Sequence, residues 1–353
     1  MKTPDCDKLL ELEPKQIQQK IINYVIDMRD NRKLPPNSIS CRVSALQTFF
    51  QMNDVENINW YKIKKYKGEF YTVAEDRPYT RQEVHTLAEN APSLRDKAII
   101  LLLSSSGMRV GGLVKIQLKH MKPLDKYHIY QFEVYKKSRE AYTTFCTPET
   151  RNCIDSYLEF RKRLGEKLTP NSPLFRSEFE TKFGARAPAR PMTEVGVSNV
   201  VLKIRWKTGV VEEQHLTEKV RNGQLRSHIM TLHGFRKYLD TTATGNGMDT
   251  LYIEHIMGHD IGLKGSYYKP TVQEILEGNE RMRGYISVIN DLTINEEHRL
   301  RIRNAEQEHT INVELQELRR QIELIRNVTQ RDQSQVRKIR ASPGFRKKLL
   351  QKQ

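Results

Sequence analysis

The chain has 353 residues, room for two or three domains with buried cores, and no apolar run longer than Ala98–Leu103. That run is far short of the roughly 20 residues a membrane-spanning helix needs, and the N-terminus lacks a secretory pattern, so no membrane partner is expected. Against 43 Asp+Glu stand 59 Lys+Arg, a formal charge of +16 that favours a polyanionic partner.

In chain order, Ile17, Ile21, Ile22, Tyr24, Val25 and Met28 recur at helical spacing up to Lys33-Leu34-Pro35-Pro36. A second helix is predicted over Ser38–Met52, its apolar face made by Val43, Leu46, Phe49 and Phe50. Lys62, Lys64, Lys65 and Lys67, interleaved with Ile63 and Tyr66, are either a solvated helix face or a surface for the phosphate backbone. Glu75-Asp76-Arg77-Pro78 reads as a linker, and Thr80 with Glu83 as a capping box opening a helix through Leu87. Ile129–Tyr135 and Tyr142–Cys146 flank a polar turn and are predicted to form a β-hairpin. The Gly- and Pro-punctuated stretch from Arg176 to Arg226 resists assignment. Ile311, Leu315, Leu318, Ile322 and Ile325 step by four and three, the spacing of a coiled-coil seam or of one amphipathic helix on its own domain. Beyond them, residues 331–353 hold eight basic residues and only Asp332 as an acid, which suits a solvated or DNA-contacting tail. Cys6, Cys41, Cys146 and Cys153 form no CxxC pair and read as reduced thiols without a zinc site.

Four short features carry chemistry. Arg109 follows a small-residue turn, Ser104-Ser105-Ser106-Gly107-Met108, and precedes two glycines. The hairpin turn holds Lys136, Lys137 and Arg139. His233 and Arg236 lie three apart and share a helix face. Gly258-His259 is followed nine residues later by Tyr268, with Tyr267 beside it. His120, His128, His215, His228 and His255 read as structural or surface residues. Each feature alone is common, but their order and their span of about 160 residues are not.

Together they resemble the catalytic set of tyrosine recombinases (integrases), over roughly residues 75–285. Gly107-Met108-Arg109, His233-Gly234-Phe235-Arg236, and Met257-Gly258-His259 with Tyr268 match that family's motifs. Thr147-Pro148-Glu149 and Tyr268-Lys269-Pro270-Thr271 are most similar to archaeal integrases of mobile elements. The sequence departs from the family at Gly112, where an acid usually stands three positions after the first arginine.

The resemblance implies a mainly α fold with a small antiparallel hairpin or sheet. It divides the chain into a helical core-binding (DNA-clamp) module at 1–74, a catalytic domain at 75–285, and a coiled-coil-like extension with a basic tail at 286–353. It implies a site-specific recombinase that cuts and rejoins double-stranded DNA through a covalent 3′-phosphotyrosine, with no metal, ATP or other cofactor. Arg109 and Arg236 would hold the phosphate oxygens, Tyr268 would attack, and His233 would take its proton. His259 would stabilise the phosphate, and Lys137 would protonate the departing 5′-oxygen, with Lys136 the alternative. A homo-oligomer on DNA, a dimer per site and a tetrameric synapse, and a cytoplasmic, nucleoid-associated location are further implied. A type IB topoisomerase-like enzyme and a non-catalytic DNA-binding derivative are the competing readings.

Overall fold

The structure, a computed structural model, describes residues 7–69, 77–177, 189–210, 216–220, 224–227, 229–262, 267–297, 299–300, 311 and 314–322. The chain forms two compact units, one of residues 1–77 with 209–230 and one of 78–208 with 231–353.

The first unit is built on helices. After a helical turn, α1 (Asp7–Leu10), α2 (Pro14–Ile26) buries Ile17, Ile21, Ile22 and Val25, and Met28 follows in a wide turn, Asp27–Asn31. α3 (Pro36–Met52) starts two residues before the expected Ser38, because Pro36 at its first position brings a preset φ and needs no N–H partner. It buries Ile39, Val43 and Phe50, while Leu46 and Phe49 pack at the rim. The short α4 (Trp60–Lys65), capped by the Asn59 side chain on the Lys62 amide, turns Ile63 inward. Lys62, Lys64 and Lys65 consequently face solvent, as both readings of the cluster require. This unit also holds an antiparallel pair, β4 (Leu216–Val220) and β5 (Gln224–Ser227), inside the stretch that sequence reasoning left unassigned.

The second unit opens with α5 (Arg81–Glu89), where the expected capping box forms in both directions: Glu83 N–H to Thr80 Oγ1 at 3.2 Å and Thr80 N–H to Glu83 Oε2 at 2.7 Å. Its central element is α6 (Leu94–Ser106), buried on every side from Ala98 onward. Three serines at its end are tolerated in the core because each hydroxyl donates back along the helix: Ser105 to Leu101 O at 2.7 Å, Ser106 to Leu102 O at 2.6 Å, and Ser104 to Leu101 O at 3.0 Å. After α7 (Val110–Leu113) comes an antiparallel sheet in the order β1 (Met121–Leu124), β2 (Ile129–Val134), β3 (Tyr142–Phe145). The expected hairpin is β2–β3, with Val134 opposite Tyr142 and Gln131 opposite Phe145. β1 was not foreseen. It carries Pro123 and an exposed Lys122, which suit an edge strand and weaken its signal.

α8 (Pro148–Arg163) packs on α6 and is capped by the Thr147 side chain. Near its end the fully buried Arg161 binds Glu166 through two nitrogens, at 2.9 and 2.5 Å, and donates to the carbonyls of Pro173 and Leu174, both at 2.8 Å. Arg176 adds a second ionic partner to Glu166 at 3.0 Å. α9 (Glu194–Thr208), α10 (His233–Gly245), α11 (Thr250–Met257), α12 (Val272–Glu277) and α13 (Ile289–Leu292) complete the unit. The segment from Tyr285 to Asn295 is tied down by polar bonds as well as apolar burial. Tyr285 donates to Ser105 O at 2.8 Å, Arg81 donates to the Asn290 and Thr293 carbonyls, and Glu149 accepts from Ile294 N at 2.9 Å. Thus Glu149 of the Thr147-Pro148-Glu149 run has a structural task.

Glu75 and Asp76 of the expected linker, Cys6, His215, His228, Ile325 and the basic tail lie outside the described residues. Among the described residues no helix is long and apolar enough to cross a membrane, and Cys41, Cys146 and Cys153 are free thiols.

Candidate active site

Two glycine caps create the site. α6 and α11 each end on a glycine in the left-handed conformation, Gly107 at φ +58° and Gly258 at φ +64°. Such a cap turns the chain sharply and leaves the last carbonyls of the helix, the negative end of its dipole, without helical partners. Guanidinium groups fill that role. Arg236, on the first turn of α10, donates to Gly107 O and, at 3.2 Å, to Met257 O. Arg109, the cap residue of α7, donates to Gly258 O at 2.9 Å.

Three of the sequence motifs therefore meet through two arginines. Arg236 is only 5 % exposed, and burial, then the neighbouring Arg109 charge, push its guanidinium down from its ordinary value. Two like charges brought together by bonds to neutral carbonyls are unfavourable alone and attract an anion. Of the five N–H groups of Arg236, three are used by Gly107, Met257 and His259, so the remaining two can still donate to a phosphate.

His259 follows the second cap directly. Its Nε2 lies 2.6 Å from an Arg236 nitrogen and its Nδ1 lies 2.5 Å from Glu254 Oε2. Arginine can only donate, so Nε2 accepts and the ring proton sits on Nδ1, facing the carboxylate. Glu254 is a residue sequence reasoning missed. It stands on the last turn of α11 just before the cap, and the reversal at Gly258 folds His259 back over it. An acid one turn before a Gly-His pair was the available signal.

The departure at Gly112 has a steric cause. A Cβ there would sit 2.6 Å from Val134 Cγ1, so no acid fits. Around the neighbouring Gly111 the Glu194 carboxylate and the Tyr135 hydroxyl already occupy the space, each 3.0 Å from where a Cβ would stand.

The hairpin turn separates its two lysines. Lys136 pairs with Glu133. Lys137, at φ +70° and exposed, has no ion pair or hydrogen bond among the described residues. His233 is exposed at the start of α10, one helical turn before Arg236. Tyr268 is half-buried. Its hydroxyl bonds to Tyr252 at 3.5 Å and to Met282 Sδ at 3.6 Å, and its ring lies 6.4 Å from that of His255. Burial and the Tyr268 hydroxyl hold the Tyr252 proton on, well above the usual phenol range, so Tyr252 remains a neutral partner. Tyr267, by contrast, is 88 % exposed. The structure thus brings Arg109, Arg236 and His259 together at the two helix caps, while Tyr268 packs against Tyr252, Met282 and His255 in the same unit.

Three other histidines behave structurally: His120 Nδ1 accepts from the Gln117 amide at 3.2 Å, His128 Nε2 pairs with Asn152 at 2.7 Å, and burial pushes the His255 imidazole down. Among the described residues no group of His, Cys, Asp and Glu is arranged to hold a metal.

Comparison with known proteins follows the same outline. The sequence model of the phage integrase family matches residues 79–271. The tyrosine recombinase XerC of Lactobacillus leichmannii is 23 % identical over 239 residues, covering 65 % of this chain and 70 % of its own. The XerC of Rickettsia africae is 23 % identical over 266 residues, covering 72 % and 76 %. Among solved structures, the Tn1549 transposon integrase in complex with transposon right end DNA superposes with a TM-score of 0.51 at 16 % identity, covering 73 % of this chain and 82 % of that one.

Proposed function

From the membership of this chain in the phage integrase family, as a site-specific tyrosine recombinase, we propose that it breaks and rejoins double-stranded DNA with Tyr268 as nucleophile and Arg109, Arg236, His259, His233 and Lys137 as its helpers. The observation that carries this reading is the junction of Arg236 with Gly107 O, Met257 O and His259, beside Arg109 on Gly258 O. Such a partly buried, doubly cationic pair of donors suits one phosphodiester.

Attack concentrates charge on the two non-bridging phosphate oxygens, and preorganised guanidinium donors in a partly dry site stabilise that charge without reorganising. A phenol of pKa near 10 attacks once its proton leaves, and His233, one helical turn from Arg236, is the base within reach of the same phosphate. The bond from Tyr268 Oη to phosphorus forms as the bond to the 5′-oxygen breaks, and Lys137 returns a proton to that oxygen. Its lack of a partner favours Lys137 over Lys136, which Glu133 holds. His259 stabilises the phosphate through Arg236, which its Nε2 holds, while Glu254 fixes the ring from its Nδ1 side. The 3′-phosphotyrosine keeps the energy of the broken bond, so rejoining asks for no metal and no nucleotide.

The relatives and the Tn1549 integrase support a DNA partner, and the +16 charge agrees. The finer reading places the chain with integrases of archaeal mobile elements. It assigns residues 1–74 to a DNA clamp, 75–285 to catalysis and 286–353 to an extension. It has two copies per site, four in the synapse, and a cytoplasmic, nucleoid-bound protein. The test is recombination between two copies of a candidate attachment site, in chelator, by wild type and Arg236→Ala. Recombination by wild type, with loss in a variant that still binds DNA, supports the reading. Binding without strand exchange by wild type favours a non-catalytic protein, and relaxation of supercoils without exchange favours a topoisomerase.

A further inference from the structure

The helix at residues 314–322, with Ile311 one turn before it, carries Ile311, Leu315, Leu318 and Ile322 on one stripe, 55, 46, 53 and 62 % exposed. A row of large apolar side chains in water is an incomplete surface, and steps of four, three and four make it a heptad seam with Ile311 and Leu318 at d and Leu315 and Ile322 at a. We propose that this seam is the contact face of a parallel coil formed with a second copy of this chain.

The flanking charges choose the occupant and its direction. Glu314 falls at a g position and Arg319 at the next e position. In a parallel pair each g side chain faces the e side chain of the following heptad on the other strand, so Glu314 meets the Arg319 of a second copy, and the symmetric pair forms as well. Antiparallel pairing would instead set g against g and e against e, with Glu314 against Gln321, and neither ion pair would form. The outward positions between Leu315 and Ile322, namely Gln316, Glu317 and Arg320, are exposed and polar, as a solvent face requires. Leu at d with Ile at a, the Leu318–Ile322 layer, is the two-stranded combination, although the Ile311–Leu315 layer is the reverse.

The stretch from Ile311 to Ile322 is fewer than two heptads long. Free chains therefore pair weakly. Two copies on one DNA would pair firmly, since tethering raises the local concentration to about millimolar. Pairing of the free chain does not depend on DNA or on catalysis, so its test stands apart from the recombinase reading.

The test uses the full chain with Leu318→Cys, a d position that meets its own counterpart only in a parallel pair. In a background with Cys6→Ser and Cys41→Ser, after mild oxidation without DNA, non-reducing electrophoresis should show a covalent dimer that the parent and the outward Arg320→Cys variant do not form. Adding Glu314→Arg or Arg319→Glu should cut that yield by about three- to tenfold through two lost pairs and two repulsions. Carrying both reversals together should restore it. A yield no higher than that of Arg320→Cys would overturn the coil, and single reversals without effect would overturn the parallel register.

Discussion

Replacing Gly258 by alanine separates two costs that the structure assigns to one atom. The first is conformational: at φ +64° a side chain crowds the following carbonyl, about 1–2 kcal/mol. The second is steric. The added Cβ would stand 2.4 Å from Cδ1 and 2.6 Å from Cε1 of the Tyr142 ring, and forcing an extra carbon into a packed interior costs about 1–3 kcal/mol. The expected loss is therefore about 2–5 kcal/mol. Two other glycines calibrate it. Gly165 has φ +86° with nothing within 4 Å of a Cβ, so Gly165→Ala reports the conformational cost alone. Gly245 lies in α10 without crowding, so Gly245→Ala should stabilise by about 0.5–1 kcal/mol. Urea unfolding of the four proteins, read as a shift in midpoint at constant m, measures each difference. Because Gly258 O anchors Arg109, Gly258→Ala should also slow DNA cleavage while the protein is still folded. A Gly258→Ala loss no greater than that of Gly165→Ala would refute the close packing of Tyr142 against this cap.

Glu254→Gln should keep a hydrogen bond to His259 Nδ1 but weaken it by removing the carboxylate charge, loosening the ring's hold on Arg236 and slowing single-turnover cleavage about 10–100-fold with DNA binding unchanged. Equal rates would remove Glu254 from the positioning of His259. Arg161→Met should cost about 3–5 kcal/mol, because Glu166 is left buried with one partner fewer; urea unfolding within 1 kcal/mol of wild type, less than about a third of that, would contradict it. Burial pushes the Cys146 and Cys153 thiols up to about 12 and about 11. A thiol with a raised pKa is nearly all protonated at neutral pH, so alkylation followed by mass spectrometry should modify exposed Cys41 well before either of them. DNA affinity should fall steeply and linearly with the logarithm of salt concentration, as neutralising many phosphates requires, and a flat dependence would deny the backbone contacts.

How far the sequence could be read follows from how local each signal is. The Thr80–Glu83 box and the β2–β3 hairpin are written in neighbouring residues and formed as expected. The motifs around Arg109, Arg236 and His259 were legible as separate pieces, but the two helix-end carbonyls that join them depend on tertiary packing. β1 was illegible because an edge strand tolerates Pro123 and an exposed Lys122. α9 was obscured differently. Val197, Val201 and Ile204 are buried at helical spacing, yet Val195 and Trp206 are each 68 % exposed on other faces and blur the periodicity. The tie between Tyr268 and Tyr252, sixteen residues back, left no sequence trace, since Tyr252 looks like any apolar member of α11.

The central claim is that Tyr268 becomes joined to DNA. Nicked DNA carrying a candidate attachment site, incubated in chelator with wild type, Tyr268→Phe and Tyr267→Phe and run on a denaturing gel, tests it directly. The account predicts a protein–DNA adduct with wild type and Tyr267→Phe and none with Tyr268→Phe. An adduct that persists in Tyr268→Phe, or none from a wild-type chain bound tightly to that site, would contradict it.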